Sequence, residues 1–299
     1  MTALSNIMLL MILAGSLVGL VSSYFGVGAC FIMVPVIIYF LESSYTISPS
    51  LAPLIAFGTN MAVVVPCALS GALRHRRELR RKGLRFPLRH YLSFGPAVGL
   101  GSFVGALLAF IFFTSFRAHA GIILKTAFGL LCLLGAYRFM VAKPVPIKEL
   151  KAPKLLKYAG WGVSSGMAAH FIGIGGGLIY VPVLNTILRI PIHIAVPISL
   201  ATMVIGSSVG SSSFAWLGHI DQIKHATAYP PYTFGWFNLT AFLLIGVPSI
   251  ILAQVGPYLS QRTSPQRFKI LLAILYIYIG VRLTINGLFQ LQGFPPPIP

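Results

Sequence analysis

The stretch "FIGIGGGLIYVP", Phe171 to Pro182, sets four glycines and a proline inside an otherwise apolar run. Glycine frees the backbone and proline removes a donor, so a helix entering this phrase does not leave it unbroken. The phrase recurs 147 residues earlier as "YFGVGACFIMVP", Tyr24 to Pro35. At that offset Gly19 aligns with Gly166, Gly26 with Gly173, Gly28 with Gly175, Val34 with Val181 and Pro35 with Pro182. Further on the offset becomes 143, where "AFGTNM" (Ala56 to Met61) faces "SLATMV" (Ser199 to Val204) and Thr59 pairs with Thr202. Two interruptions in register read as a duplicated unit.

Composition says where the unit lives. Of the 299 residues 57% are hydrophobic and only 9% are charged, against roughly 25% charged in soluble domains. Apolar windows of about twenty residues recur throughout, the length that a membrane-crossing helix needs. The chain therefore reads as an all-α integral membrane protein. The runs are continuous, not alternating, which excludes a barrel. Ten apolar segments can be marked: 4–24, 28–41, 49–73, 91–113 and 118–141, then 155–172, 176–188, 193–217, 232–256 and 266–290. The two that follow the glycine phrases, 28–41 and 176–188, are too short to cross upright. Five segments per half is an odd number, so the halves run in opposite directions. The expected fold is two inverted-topology repeats, 1–141 and 155–299, each with a short broken helix. A Pro- and Lys-rich cytoplasmic linker at 142–154 joins them.

The net charge of +18 invites a nucleic-acid reading, but Lys and Arg also collect in the cytoplasmic loops of membrane proteins. With loops 74–90 and 142–157 placed in the cytoplasm, 18 of the 22 basic residues fall on one side. No nucleic-acid partner is expected; membrane lipid is. The N-terminus lacks a basic leader and a small-residue cleavage motif, and reads as a retained first span. Cys30, Cys67 and Cys132 form no paired motif. Trp161, Trp216 and Trp236 stand near segment ends as interfacial anchors. His75 and His219 end the third segment of each half and read as interfacial. All four acidic residues fall at segment ends or in loops.

A backbone break within the bilayer persists only where protein, water or a ligand satisfies the freed polar groups. Interrupted helices at matching places in two repeats point to a transporter's midplane site. A half-helix that starts at the phrase aims unbonded N–H groups and its positive dipole end at the centre, which suits an anion. The candidate ligand groups are the backbones of Gly26, Gly28, Gly173, Gly175, Gly176 and Gly177. Cys30, Thr59, Asn60 and Thr202 are the side-chain candidates, with Ser207 and Ser208 behind them. The competing reading of such glycines is close helix packing; two copies in register favour the ligand. His170, at membrane depth, is a candidate for proton coupling, with a simple bond to a neighbouring carbonyl as the alternative. No metal-ligand spacing, cofactor motif or nucleophile–base pair stands in the spans, so no enzyme is expected.

The paired phrases "GVGACFIMVP" and "GIGGGLIYVP", each followed by a threonine-bearing segment, resemble the TauE/SafE sulfite exporter family over nearly the whole chain. The first phrase departs from the family pattern at Ala29 and Cys30, and the family's "GTS" stands here as Gly58-Thr59-Asn60 and Ala201-Thr202-Met203. The resemblance implies a permease of the bacterial inner membrane for a sulfur oxyanion or organosulfonate such as sulfite or sulfoacetate, driven by an ion gradient. The full expectation is a secondary transporter with a small anionic substrate and a coupling proton or other ion. An uncoupled anion channel and a membrane scaffold are the alternatives. Oligomeric state is not addressed by the sequence.

Overall fold

The computed structural model describes residues 2–45, 47, 51–116, 120–141, 152, 154–224, 229–294 and 297. The linker expected at 142–154 lies outside these residues apart from 152 and 154. The first half contains helices α1 (Thr2–Phe25), α2 (Cys30–Ser44), α3 (Ala52–Arg81), α4 (Leu88–Ser115) and α5 (Ala120–Val141). The second half contains α6 (Leu155–Phe171), α7 (Gly177–Pro182), a π-helical turn Val183–Ile187 and α8 (Ile192–Lys224). It continues with a two-stranded hairpin, β1 (Thr233–Phe234) and β2 (Phe237–Asn238), then α9 (Leu239–Leu252), α10 (Val255–Ser260) and α11 (Pro265–Leu291). Six of these stretches are long and apolar enough to cross a membrane, with α9 and α10 counted together. The protein is an all-α integral membrane protein.

Apolar attraction between helices is weak in lipid, so close approach of small residues has to hold them together. The chain supplies glycine pairs four residues apart at the crossings. Gly15 and Gly19 of α1 lie against α9, where an added Cβ would come within 2.4 Å of the Ile245 carbonyl oxygen and 2.2 Å of the Ser249 one. Gly162 and Gly166, which stand 147 residues later, pack against α4 at the backbones of Phe94 and Val98. Thus α1 pairs with α9 as α6 pairs with α4. The exchange is general: α3 also contacts α9 as α8 contacts α4, while α3 meets α8 and α5 meets α11. The centre belongs to α3 and α8. Their most apolar windows are 61% and 67% buried, against 33–50% in the other four long stretches. Leucines such as Leu13, Leu100 and Leu134 point outward and remain exposed.

Four expectations need correcting. Helices α3 and α8 run past the apolar segments, to Arg81 and Lys224, because backbone hydrogen bonding continues a helix beyond the bilayer as readily as inside it. Most of the basic region 74–90 is therefore helical, and Glu78 is buried on α3 between Arg74 and Arg81, 3.0 Å from each. The ninth segment is not one helix. Asn238 caps α9 by accepting from the Ala241 N–H at 2.9 Å, the hairpin precedes it, and α10 begins only after a break at 253–254. Trp236 is not an interfacial anchor. It is fully buried between Gly58 and Gly218 and touches Phe110 and Phe214; the hairpin folds it inward, where the two glycines leave it room. Trp161 and Trp216 remain outside, 40% and 68% exposed. His75 is fully buried too, because Ser23 and Gln261 supply hydrogen-bond partners below the surface.

Candidate functional site

Both glycine phrases are tight turns between helices, and their backbones match position by position. Gly26 and Gly173 have φ of 73° and 78°, Gly28 and Gly175 have 77° and 69°, and Ala29 and Gly176 have 48° and 96°. Three positive-φ residues in four turn the chain sharply, a course that residues with a Cβ resist at about 1–2 kcal/mol each. Ala29 is the one non-glycine among the six. Each turn then starts a short helix, α2 at Cys30 and α7 at Gly177. In the second half the helix widens into the π turn after Pro182.

The two turns meet. A Cβ placed on Gly177 would lie 2.4 Å from the Gly26 carbonyl oxygen and 2.6 Å from the Val27 backbone, and one on Gly28 would lie 3.7 Å from the Ile174 carbonyl oxygen. Helices α3 and α8 enclose the junction. Phe57 and Val64 approach from α3; Val196, Met203 and Ser207 approach from α8. All ten sequence candidates, Gly26, Gly28, Cys30, Thr59, Asn60, Gly173, Gly175, Gly176, Gly177 and Thr202, are buried.

Hydrogen bonds divide the two kinds of backbone group at the junction. Five carbonyls are taken, three of them by side chains: Ser199 Oγ donates to Gly26 O at 2.9 Å, Asn60 Nδ2 to Gly173 O at 3.1 Å and Ser207 Oγ to Gly175 O at 3.2 Å. Carbonyls of Ala29 and Gly176 accept from the first turns of α2 and α7. The amides are not taken. Among the described residues, the N–H groups of Val27, Gly28, Ala29 and Cys30 and those of Gly173, Gly175, Gly176 and Gly177 make no backbone hydrogen bond. Gly26 and Ile174 differ, since their N–H groups donate to Ser22 O at 2.7 Å and Ala169 O at 3.0 Å. A buried polar group left unbonded costs several kcal/mol in such surroundings. Two short helices thus present unbonded donors and positive dipole ends at one place, in a region free of carboxylates among the described residues.

The side-chain candidates part company. Asn60 donates to the turn and keeps a buried Oδ1 without a partner. Thr202 Oγ1 is buried and unpartnered as well. Thr59 Oγ1 accepts from the Asn238 N–H at 2.9 Å, so it secures the hairpin-to-α9 junction. Cys30 takes the position that Gly177 holds in the other turn and is 2% exposed. His170 Nδ1 bonds to Gly166 O at 3.0 Å, and its ring packs against Gly210. Sequence reasoning missed Ser199, although its eight-residue spacing from Ser207 places both on one face of α8. It also missed Tyr180, whose buried ring covers Gly176 and whose hydroxyl sits beside Gly206 and Ser102.

Each end of the site is closed. Toward residues 75–82 of α3, His75 Nε2 bonds to Ser23 O at 2.9 Å. Gln261 Nε2 donates to His193 O at 2.9 Å, and Lys82 Nζ donates to Gln261. Toward residues 57–60, Trp236 and the hairpin fill the space between α3 and α8. These polar and aromatic seals join first-half residues to second-half ones.

Comparison with known proteins points to membrane transporters. The chain is 25% identical over 282 residues to a probable membrane transporter protein of Methanocaldococcus jannaschii, covering 94% of each chain. It is 24% identical to the probable membrane transporter protein YunE of Bacillus subtilis, over 94% of this chain and 98% of that one. A probable membrane transporter protein of Haemophilus influenzae is 26% identical, over 93% and 98% respectively. No solved structure gives a significant match. The pattern of the sulfite exporter TauE/SafE family matches residues 11–283, and the chain belongs to that family of membrane transporters.

Proposed function

We propose that the protein is a secondary active transporter of a small sulfur-containing anion, such as sulfite, sulfoacetate or another organosulfonate, across a bacterial inner membrane. One observation carries this reading: where the two turns meet, Ser199, Asn60 and Ser207 hold the carbonyls of Gly26, Gly173 and Gly175, while the amides of 27–30, 173 and 175–177 are left as donors. Main-chain donors without a fixed countercharge bind an oxyanion reversibly, as a carrier requires. Thr202 and the free oxygen of Asn60 would tune the fit, the latter through a proton-bearing substrate group. The matched φ angles and the exchange of contacts between halves support two inverted repeats that rock about this site. The closed arrangement is then the occluded state. His170, at the end of α6, stands next to the second turn as the group for proton coupling.

The test combines binding with transport. Purified protein is melted with sulfite, sulfate, thiosulfate, sulfoacetate and an aryl sulfonate, since a ligand of the folded form raises the melting temperature. Proteoliposomes then report whether the stabilising anion accumulates against its gradient. Gly175→Leu puts a branched side chain at φ 69° against Val64 and Ser207 and should abolish both signals. Equilibration without accumulation identifies a channel. Anion stabilisation and uptake that both survive Gly175→Leu would refute the glycine site.

A further inference from the structure

Away from the central site, a cavity of about 880 Å³ opens on the side of the bundle between α3, α4 and α8. Its α3 wall is one stripe of that helix: Leu69, Leu73, Arg76 and Arg80 succeed each other at helical spacing. Eleven residues at 1.5 Å each make the stripe about 16 Å long, apolar at one end and cationic at the other. Arg85, beyond α3, adds a third guanidinium at the cationic end, and Ala201 and Val204 of α8 form the apolar back wall. Leu69 and Leu73 are 46% and 47% exposed, so the apolar end is open to the surroundings.

Among the described residues the groove's arginines lack countercharge. Glu78, the acidic residue nearest in sequence, is held by Arg74 and Arg81. Among the described residues no carboxylate pairs with Arg76, Arg80 or Arg85. A soluble anion would use the guanidinium end and leave the apolar walls unfilled. A zwitterionic lipid would fill the walls and leave the net charge in place. We infer that this groove binds an anionic phospholipid, its phosphate held by Arg76, Arg80 and Arg85 and one acyl chain laid along Leu69, Leu73, Ala201 and Val204. Guanidinium forks match phosphate geometry, and basic pockets between spans at a membrane face suit such headgroups. Because α3 and α4 come from the first half and α8 from the second, the lipid lies across the seam between them. Its occupancy is therefore coupled to any relative motion of the halves, whatever the central site carries.

Native mass spectrometry of the delipidated full-length protein, titrated with phosphatidylglycerol or phosphatidylcholine, tests this. Wild type should bind phosphatidylglycerol at least tenfold more tightly than phosphatidylcholine. Arg76→Gln/Arg80→Gln/Arg85→Gln should erase the preference, at about fivefold per arginine. Arg77→Gln/Arg89→Gln, basic positions that do not line the groove, should keep it. Leu69→Trp/Leu73→Trp leaves the charge intact and should weaken binding by filling the chain-binding end, which guards against a triple variant that fails to fold. Equal binding of the two lipids, or equal losses in the triple variant and the Arg77/Arg89 control, would overturn the site. So would glycerol phosphate competing as well as the whole lipid, since that outcome assigns the arginines to a soluble anion.

Discussion

Gly177→Ala puts the meeting of the two turns to a test whose sign is decisive. Gly177 is the first residue of α7, and alanine in place of glycine favours a helix by up to about 1 kcal/mol. Seen from its own helix alone, the substitution is neutral or stabilising. In the folded protein the new methyl would stand 2.4 Å from the Gly26 carbonyl oxygen, and ordinary contact begins at 3.4 Å. The turns must separate by 1.0 Å, and the obstruction is backbone, which no rotamer change relieves. Overpacking of this kind costs about 1–3 kcal/mol, a fall in melting temperature of roughly 2–10 °C at this size. The displacement also pulls Gly26 O from Ser199 and moves the unbonded amides apart, so anion-dependent stabilisation and uptake should fall by more than tenfold. Gly83→Ala is the control: φ is 70° there and nothing lies within 4 Å. It brings strain of about 1–2 kcal/mol far from the site, and uptake should survive. A Gly177→Ala protein that melts at or above wild type and transports normally would show that the turns do not abut, and the argument from their meeting would fail.

Three other substitutions probe the supports of the site. Ser199→Ala removes the donor to Gly26 O and leaves that buried carbonyl unsatisfied; it should cost about 1–3 kcal/mol in thermal melting and weaken anion stabilisation. Thr59→Val should destabilise by a similar amount through the lost Asn238 N–H bond, yet leave the anion-induced shift in melting temperature unchanged. Loss of that shift in a stable Thr59→Val protein would make Thr59 a ligand. Trp236→Ala, at a fully buried site between two glycines, should cost about 3–5 kcal/mol and make the closed end leak, measured as uncoupled anion flux.

The sequence by itself determined the membrane fold class and the correspondence of the two glycine phrases. Those properties are written in local composition: apolar length sets a span, and glycine and proline set its interruptions. Residue-by-residue matching paired Gly26 with Gly173 and Gly28 with Gly175, and each pair shares a positive φ because that demand is met within the turn. Tertiary structure alone decided what each polar side chain faces. Thr59 and Asn60 are neighbours in sequence, yet one serves the hairpin before α9 and the other the second turn. The spacing of Ser199 from Ser207 fixes its face of α8, but its partner appears only when α8 is laid against Gly26. Trp236 and His75 read as interfacial because they lie near segment ends, and the chain folded partners and glycine clearances around both. The partners of Ser199, Asn60 and Thr59 stand more than a hundred positions away, a distance over which periodicity and spacing hold no information.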